Sequence, residues 1–138
     1  MVRIENQELL TQRFGRWPSF HDAEVVYVRF ERGGLDAPYM ECGIHVFETT
    51  SEVDARGYYV LRNRTLAILR FCQVELESFK GWNGQNVLFD LKINHAQPGT
   101  GSTADLRIEV ELSSSYGCSA FFTCGAVKVV RAEEFQEE

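Results

Sequence analysis

After Ala23 the apolar residues fall on every second position, and that period of two returns in segment after segment toward the C terminus. A strand turns successive side chains to opposite faces, so this alternation marks extended chain with one face on a core and the other toward water. Val26, Val28 and Phe30 alternate with Tyr27, Arg29 and Glu31, and Arg32-Gly33-Gly34-Leu35-Asp36 then supplies the residues of a reversal. Met40, Cys42, Ile44 and Val46 repeat the pattern against Tyr39, Glu41, His45 and Phe47. The two segments therefore predict an antiparallel pair. Thr49 to Gly57 is polar and reads as loop.

Tyr58-Tyr59-Val60-Leu61 and Thr65 to Val74 continue the pattern. The second segment is apolar on both sides, with Leu66, Ile68 and Cys72 against Ala67, Leu69 and Phe71, as a central strand would be. A helix over Leu66 to Leu76 fits the same residues. Glu75 to Gln85 breaks the pattern, and Val87, Phe89, Leu91 and Ile93 then alternate with Leu88, Asp90, Lys92 and Asn94. Gly99 to Ser102 reads as a flexible turn. Leu106, Ile108, Val110 and Leu112 against Asp105, Arg107, Glu109 and Glu111 form the cleanest alternation in the chain. Ser113 to Ser119 reads as a strand connection, Ala120-Phe121-Phe122 with Val127 and Val129 as the last one or two strands, and Glu133 to Glu138 as a frayed tail.

The N terminus follows a different period. Leu9, Leu10, Arg13, Phe14 and Trp17 follow helical spacing, with Asn6 placed to cap, Gly15 to stop and Pro18 to forbid continuation. A helix of about two to three turns is expected, its Leu/Phe stripe laid on one face or end of a sheet. About seven strands joined by short turns, without intervening helices, then predict an α+β, mainly β fold. One N-terminal helix packs on a curved antiparallel sheet, sandwich or roll.

The 138 residues, 44% of them hydrophobic and 25% charged, suit one core, so 1–138 is expected to be a single domain. No signal-like or membrane-length apolar run is present, which predicts a soluble, cytoplasmic protein. Cys42, Cys72, Cys118 and Cys124 lack Cys-x-x-Cys spacing and sit in apolar patterns, as reduced core thiols do. With three scattered histidines, neither a metal site nor a cofactor is expected. The formal charge of −6 and pI near 5.1 disfavour nucleic acid and anionic membrane as partners and favour a basic one.

Two short blocks stand out from this generic pattern. Trp17-Pro18-Ser19-Phe20-His21-Asp22-Ala23-Glu24-Val25 gathers two aromatics, a rigid Pro, a titratable His and two carboxylates just before the first strand. Gly81-Trp82-Asn83-Gly84-Gln85-Asn86-Val87-Leu88 precedes a later one. Both resemble the signature of the bacterial immunity protein 50 family, small cytoplasmic proteins implicated as antidotes to polymorphic toxins. The resemblance extends over most of the chain. It implies a toxin inhibitor without enzymatic activity.

The residues of these blocks admit plainer readings as well. His21, Asp22 and Glu24 have the chemistry of a base, an orienting carboxylate and a second acid. As neighbours, however, His21 and Asp22 point apart on extended chain, which favours a turn in which Asp22 bonds local backbone and His21 caps or packs. Trp17 and Phe20 are either interface anchors or, as favoured here, aromatics that close the core. Trp82, flanked by Asn83 and leading to Asn86, sits in a polar turn and is the better surface candidate. Gly99-Thr100-Gly101-Ser102-Thr103-Ala104 matches a bare dinucleotide pattern but is followed by a strand pattern, so it is set aside.

Charge is uneven: Ala55 to Val74 holds Arg56, Arg62, Arg64 and Arg70 with no acid, whereas Ala104 to Glu138 holds seven carboxylates against three basic residues. A carboxylate-rich face suits a cationic toxin surface. The leading expectation is stoichiometric occlusion of a cognate protein toxin by Trp17, Phe20, His21, Asp22, Glu24, Trp82, Asn83 and Asn86. The alternative is a small-ligand-binding or hydrolytic domain with a pocket around His21, Asp22 and Glu24, joined by His45 or His95. A third is an adaptor whose exposed strand edge pairs with itself or another protein.

Overall fold

The computed structural model describes residues 2–96 and 107–137. Helix α1 (Glu8–Phe14) is followed by eight strands: β1 (Glu24–Glu31), β2 (Tyr39–Val53), β3 (Tyr59–Cys72), β4 (Glu75–Lys80), β5 (Val87–His95), β6 (Ile108–Tyr116), β7 (Ser119–Cys124) and β8 (Ala126–Glu134). They form one antiparallel sheet in the order β4-β7-β6-β5-β1-β2-β3-β8. The sheet is open in its hydrogen bonding yet rolled in space. Gly125 N–H donates to Cys72 O (2.8 Å) at the corner where β3 runs into β4 and β7 into β8. Phe71 of β3 meets the Phe122 ring of β7 edge-on, with centroids 5.0 Å apart, and Phe30 of β1 meets Phe79 of β4 at 5.6 Å. Strands far apart in the order thus share one core, which includes Met40, Cys42, Ile44, Val46, Leu69, Leu88, Val110 and Leu112. No helix among the described residues is long and apolar enough to cross a membrane.

Helix α1 covers one end of this core, with Leu10 fully buried and Val2 and Ile4 beside it. Gly15 ends it as expected: at φ +79° its N–H reaches Thr11 O (2.7 Å). The start differs, because Gln7 takes the cap position without a side-chain bond. Residue Glu5 forms a parallel bridge to Lys128, and Asn6 (φ +59°) turns the chain from that bridge into the helix. Its amide is spent on Val129 O rather than on the helix.

Several strands run differently from their patterns. Thr49–Val53 belongs to β2, pairing with β3 through Thr49↔Leu61 and Val53↔Tyr59, so the loop shrinks to the turn at Asp54–Gly57. This ribbon is wet on both sides, and Arg62–Glu52 pairing (2.9 Å) replaces apolar alternation. The two segments expected at Tyr58 to Leu61 and Thr65 to Val74 merge into one strand, β3, with Asn63 at φ +56° inside it, and no helix forms at Leu66–Leu76. Glu75–Lys80 is a strand: as an edge that turns only Phe79 toward the core, it has no reason to alternate. Serines 113–115 lie inside β6, and the reversal is only Gly117-Cys118.

Bulges change two phases. A register shift between Val25 and Tyr27 buries Val25 (1% exposed) and leaves Val26 out (38%). Another at Leu88/Asp90 buries Leu88 and Leu91 while Phe89 faces solvent. The tail is ordered as well: Glu133 and Glu134 pair with Leu66 and Thr65, and Phe135 stacks on His45. The expectations for Gly99 to Ser102, for the Gly-x-Gly pattern and for Asp105 and Leu106 fall outside the described residues. All four cysteines are free and buried, and burial pushes the Cys124 thiol up to about 12.

Candidate interaction surface beside the β1–β5 seam

The sheet's two four-stranded halves, β8-β3-β2-β1 and β5-β6-β7-β4, meet along a very short seam. Its ladder is a single pair, Glu24↔Val87. Val25 N–H donates to Asn86 O (2.8 Å), Leu88 N–H to Ala23 O (2.8 Å) and Asp22 N–H to Leu88 O (2.9 Å). Both distinctive sequence blocks lie here, so a first role for each is to hold the seam closed. Asp22 adopts φ +69°, a conformation that Asp and Asn tolerate better than most residues.

Asn86, only 3% exposed, organises the second block. Its Oδ1 accepts from the N–H groups of Asn83 (3.1 Å) and Cys118 (3.0 Å), and its Nδ2 donates to Asn83 O (2.7 Å). Asn83 closes the same turn by accepting from Gln85 N–H (2.8 Å) and donating to Gly81 O (3.1 Å). Gly117 (φ +81°) presses against this knot, where an added Cβ would lie 2.4 Å from Gln85 O. Asn83 and Asn86 are therefore spent on backbone.

The aromatics divide. Phe20 is buried (2% exposed) with Trp17 tilted against it, centroids 5.6 Å apart, so both close the core as favoured. Trp82 is 43% exposed and lies over Phe79. His21 sits edge-on to Phe89, and its Nδ1 lies 2.9 Å from Phe89 O. A carbonyl only accepts, so Nδ1 carries the proton. Nε2 is then left 3.7 Å from Asp22 Oδ1, beyond hydrogen-bond length. The left-handed turn at Asp22 brings these neighbours to the same side, where extended chain would have parted them, but it does not make them an acid–base couple. His21 lines a hollow of about 640 Å³ with Asp22, Phe14 and Phe47, whereas Glu24 opens on the neighbouring groove. The predicted trio is divided between two depressions.

That neighbouring groove, about 860 Å³, runs over the outer face of β1, β2 and β3. Cross-strand register sets Glu24, His45, Leu66 and Glu133 side by side in one row over four strands. Its floor is apolar, from Val26, Phe47, Leu61, Leu66 and Val87, and its rim carries Asp22, Glu24, Glu133 and Glu134. His45 is buried at 6% exposure, stacked on Phe135 (3.7 Å, 7° between planes), and its Nε2 accepts from Arg64 Nε (3.2 Å). Burial, aided by the Arg64 charge and opposed by Glu137, pushes its pKa down to about 4. The imidazole is neutral at pH 7. Arg64 in turn is paired with Glu137 (2.6 Å), which ties the tail down as one wall of the groove. His95 lies elsewhere, beside α1 and β5.

Farther along the outer face is a group that the sequence reading passed over. Glu41 (7% exposed) receives Arg70 Nη2 (2.9 Å) and the Tyr27 hydroxyl (3.1 Å), while Asp36 receives Arg70 Nη1 (3.2 Å) and Lys128 Nζ (2.6 Å). Burial and the adjacent Glu41 raise Tyr27 to about 12, and the Lys128 hydrogen bond holds Asp36 below the usual carboxylate range. Tyr27 lies over Gly43, where a Cβ would meet its ring at 2.1 Å. The clue was available: Glu41 and Arg70 alternate in phase on strands that pair.

No curated protein and no solved structure gives a significant match to the chain. The family described as Immunity protein 50 matches residues 6–135, from the turn into α1 through the tail on His45, and the chain belongs to that family.

Proposed function

We propose that the protein is the cytoplasmic antidote of a bacterial polymorphic toxin system, acting as one domain that binds its cognate protein toxin and neutralises it by stoichiometric occlusion. The observation that carries this reading is the family match over residues 6–135. The net charge of −6 supports a basic partner, which long-range attraction would bring in quickly. The inhibitor performs no chemistry on its partner under this reading: it covers a surface the toxin needs. Trp82, half open on the polar turn, supplies an aromatic anchor of the kind that concentrates binding energy.

The test is co-expression with toxin candidates encoded beside the gene. Growth rescue, together with a one-to-one complex on size-exclusion chromatography with mass measurement, is the expected result. Absence of both protection and complex for every adjacent candidate would refute the reading.

A further inference from the structure

We infer that the groove over β1, β2 and β3 receives a cationic, apolar-faced segment of a protein partner, held between Glu24 and Glu133 over the Leu66 floor. The inference deepens the antidote reading and rests on it for the partner's identity. Three observations point to such an occupant.

The first is width. Glu24 and Glu133 are separated by three strand intervals in one register row, about 14 Å at ~4.8 Å per strand. The Phe135 ring that covers His45 takes up part of this span, and the remainder suits one extended segment. The second is the floor, because Val26, Phe47, Leu61, Leu66 and Val87 present apolar surface where an outer sheet face is ordinarily polar.

The third is uncompensated charge. Among the described residues no Lys or Arg pairs with Asp22, Glu24 or Glu134, and Glu133 meets only Arg131 at 3.9 Å on its own strand. Arg64, the cation of this wall, is already engaged with Glu137. On the same face nearby, Glu41 and Asp36 are paired with Arg70 and Lys128. An occupant with alternating basic and apolar side chains satisfies rim and floor together. A nucleic acid or acidic peptide would be repelled.

The experiment uses the full chain and a short fluorescein-labelled peptide alternating Lys and Leu, read by fluorescence anisotropy. Two controls replace Lys by Glu and Leu by Ser. Glu24→Gln/Glu133→Gln is expected to weaken the Lys-Leu peptide by roughly fivefold or more, the loss of two charge contacts. Glu75→Gln/Glu77→Gln, an equal charge change on exposed β4, is expected to leave it nearly unchanged. Equal weakening by both pairs, equal binding of the Lys-Ser peptide, or no binding to the wild-type chain would overturn the inference. A toxin from the rescue assay separates the two proposals. Undiminished protection by Glu24→Gln/Glu133→Gln sinks the groove and spares the antidote reading, whereas groove-dependent peptide binding without any protection does the reverse.

Discussion

Acidification should unfold this protein partly through His45. The imidazole is buried, stacked on Phe135 and held neutral, with a folded pKa of about 4 against an ordinary value near 6.5. Between those values the unfolded chain binds a proton that the folded chain refuses, so stability is whole above about pH 6.5 and drains as pH falls toward 4. At ~1.4 kcal/mol per pH unit, the loss reached by pH 4.5 is about 2–3 kcal/mol. Carboxylates titrate over the same range, so the measurement needs a difference. His45→Gln keeps an acceptor for Arg64 and removes the titration. Urea unfolding of both proteins at pH 7.5, 6.5, 5.5 and 4.5 should show the wild type losing about 2–3 kcal/mol more than the variant over that interval. Parallel losses would refute the reasoning, as would an NMR titration that places the His45 ring near 6.5.

Other consequences can be checked by the same means. Phe135→Ala uncovers His45, and its NMR titration midpoint should move up toward the ordinary range; an unmoved midpoint would show that Phe135 contributes nothing to its burial. Asn86→Ala strands the N–H groups of Asn83 and Cys118 and should cost about 2–4 kcal/mol in urea unfolding. Gly117→Ala combines φ +81° with a 2.4 Å clash and should depress the melting temperature well below that of Gly34→Ala, where φ is +89° but nothing lies within 4 Å. Phe122→Ala should cost about 3–5 kcal/mol, against less than about 1 kcal/mol for Leu76→Ala on the exposed edge.

The legible parts of the chain were those where one face is apolar and the other carries polar or charged groups. Met40 to Val46 alternates and is a strand in the predicted phase, because Met40, Cys42, Ile44 and Val46 fill the core while Glu41 and His45 find polar partners on the other face. Where burial does not select one face, the pattern fell silent. The ribbon around Thr49–Val53 is wet on both sides, and β4 turns only Phe79 inward, so neither leaves a period to read. In β1 and β5 a one-residue bulge moved Val26 and Phe89 out to solvent, a shift that hydrogen bonding to neighbouring strands decides.

From its own residues the chain determined a mainly antiparallel β fold with an N-terminal helix, and two blocks that resemble a family signature, since alternation, helix stops and motif letters are local properties. Only tertiary structure decided that those blocks meet at one seam, because Asp22 and Leu88 become neighbours solely through the pairing of β1 with β5. It also decided that Glu24, His45, Leu66 and Glu133, scattered over the sequence, stand in one row over a groove. Register between distant strands has no counterpart in local spacing. That is why the chemistry of each side chain could be read beforehand and its company could not.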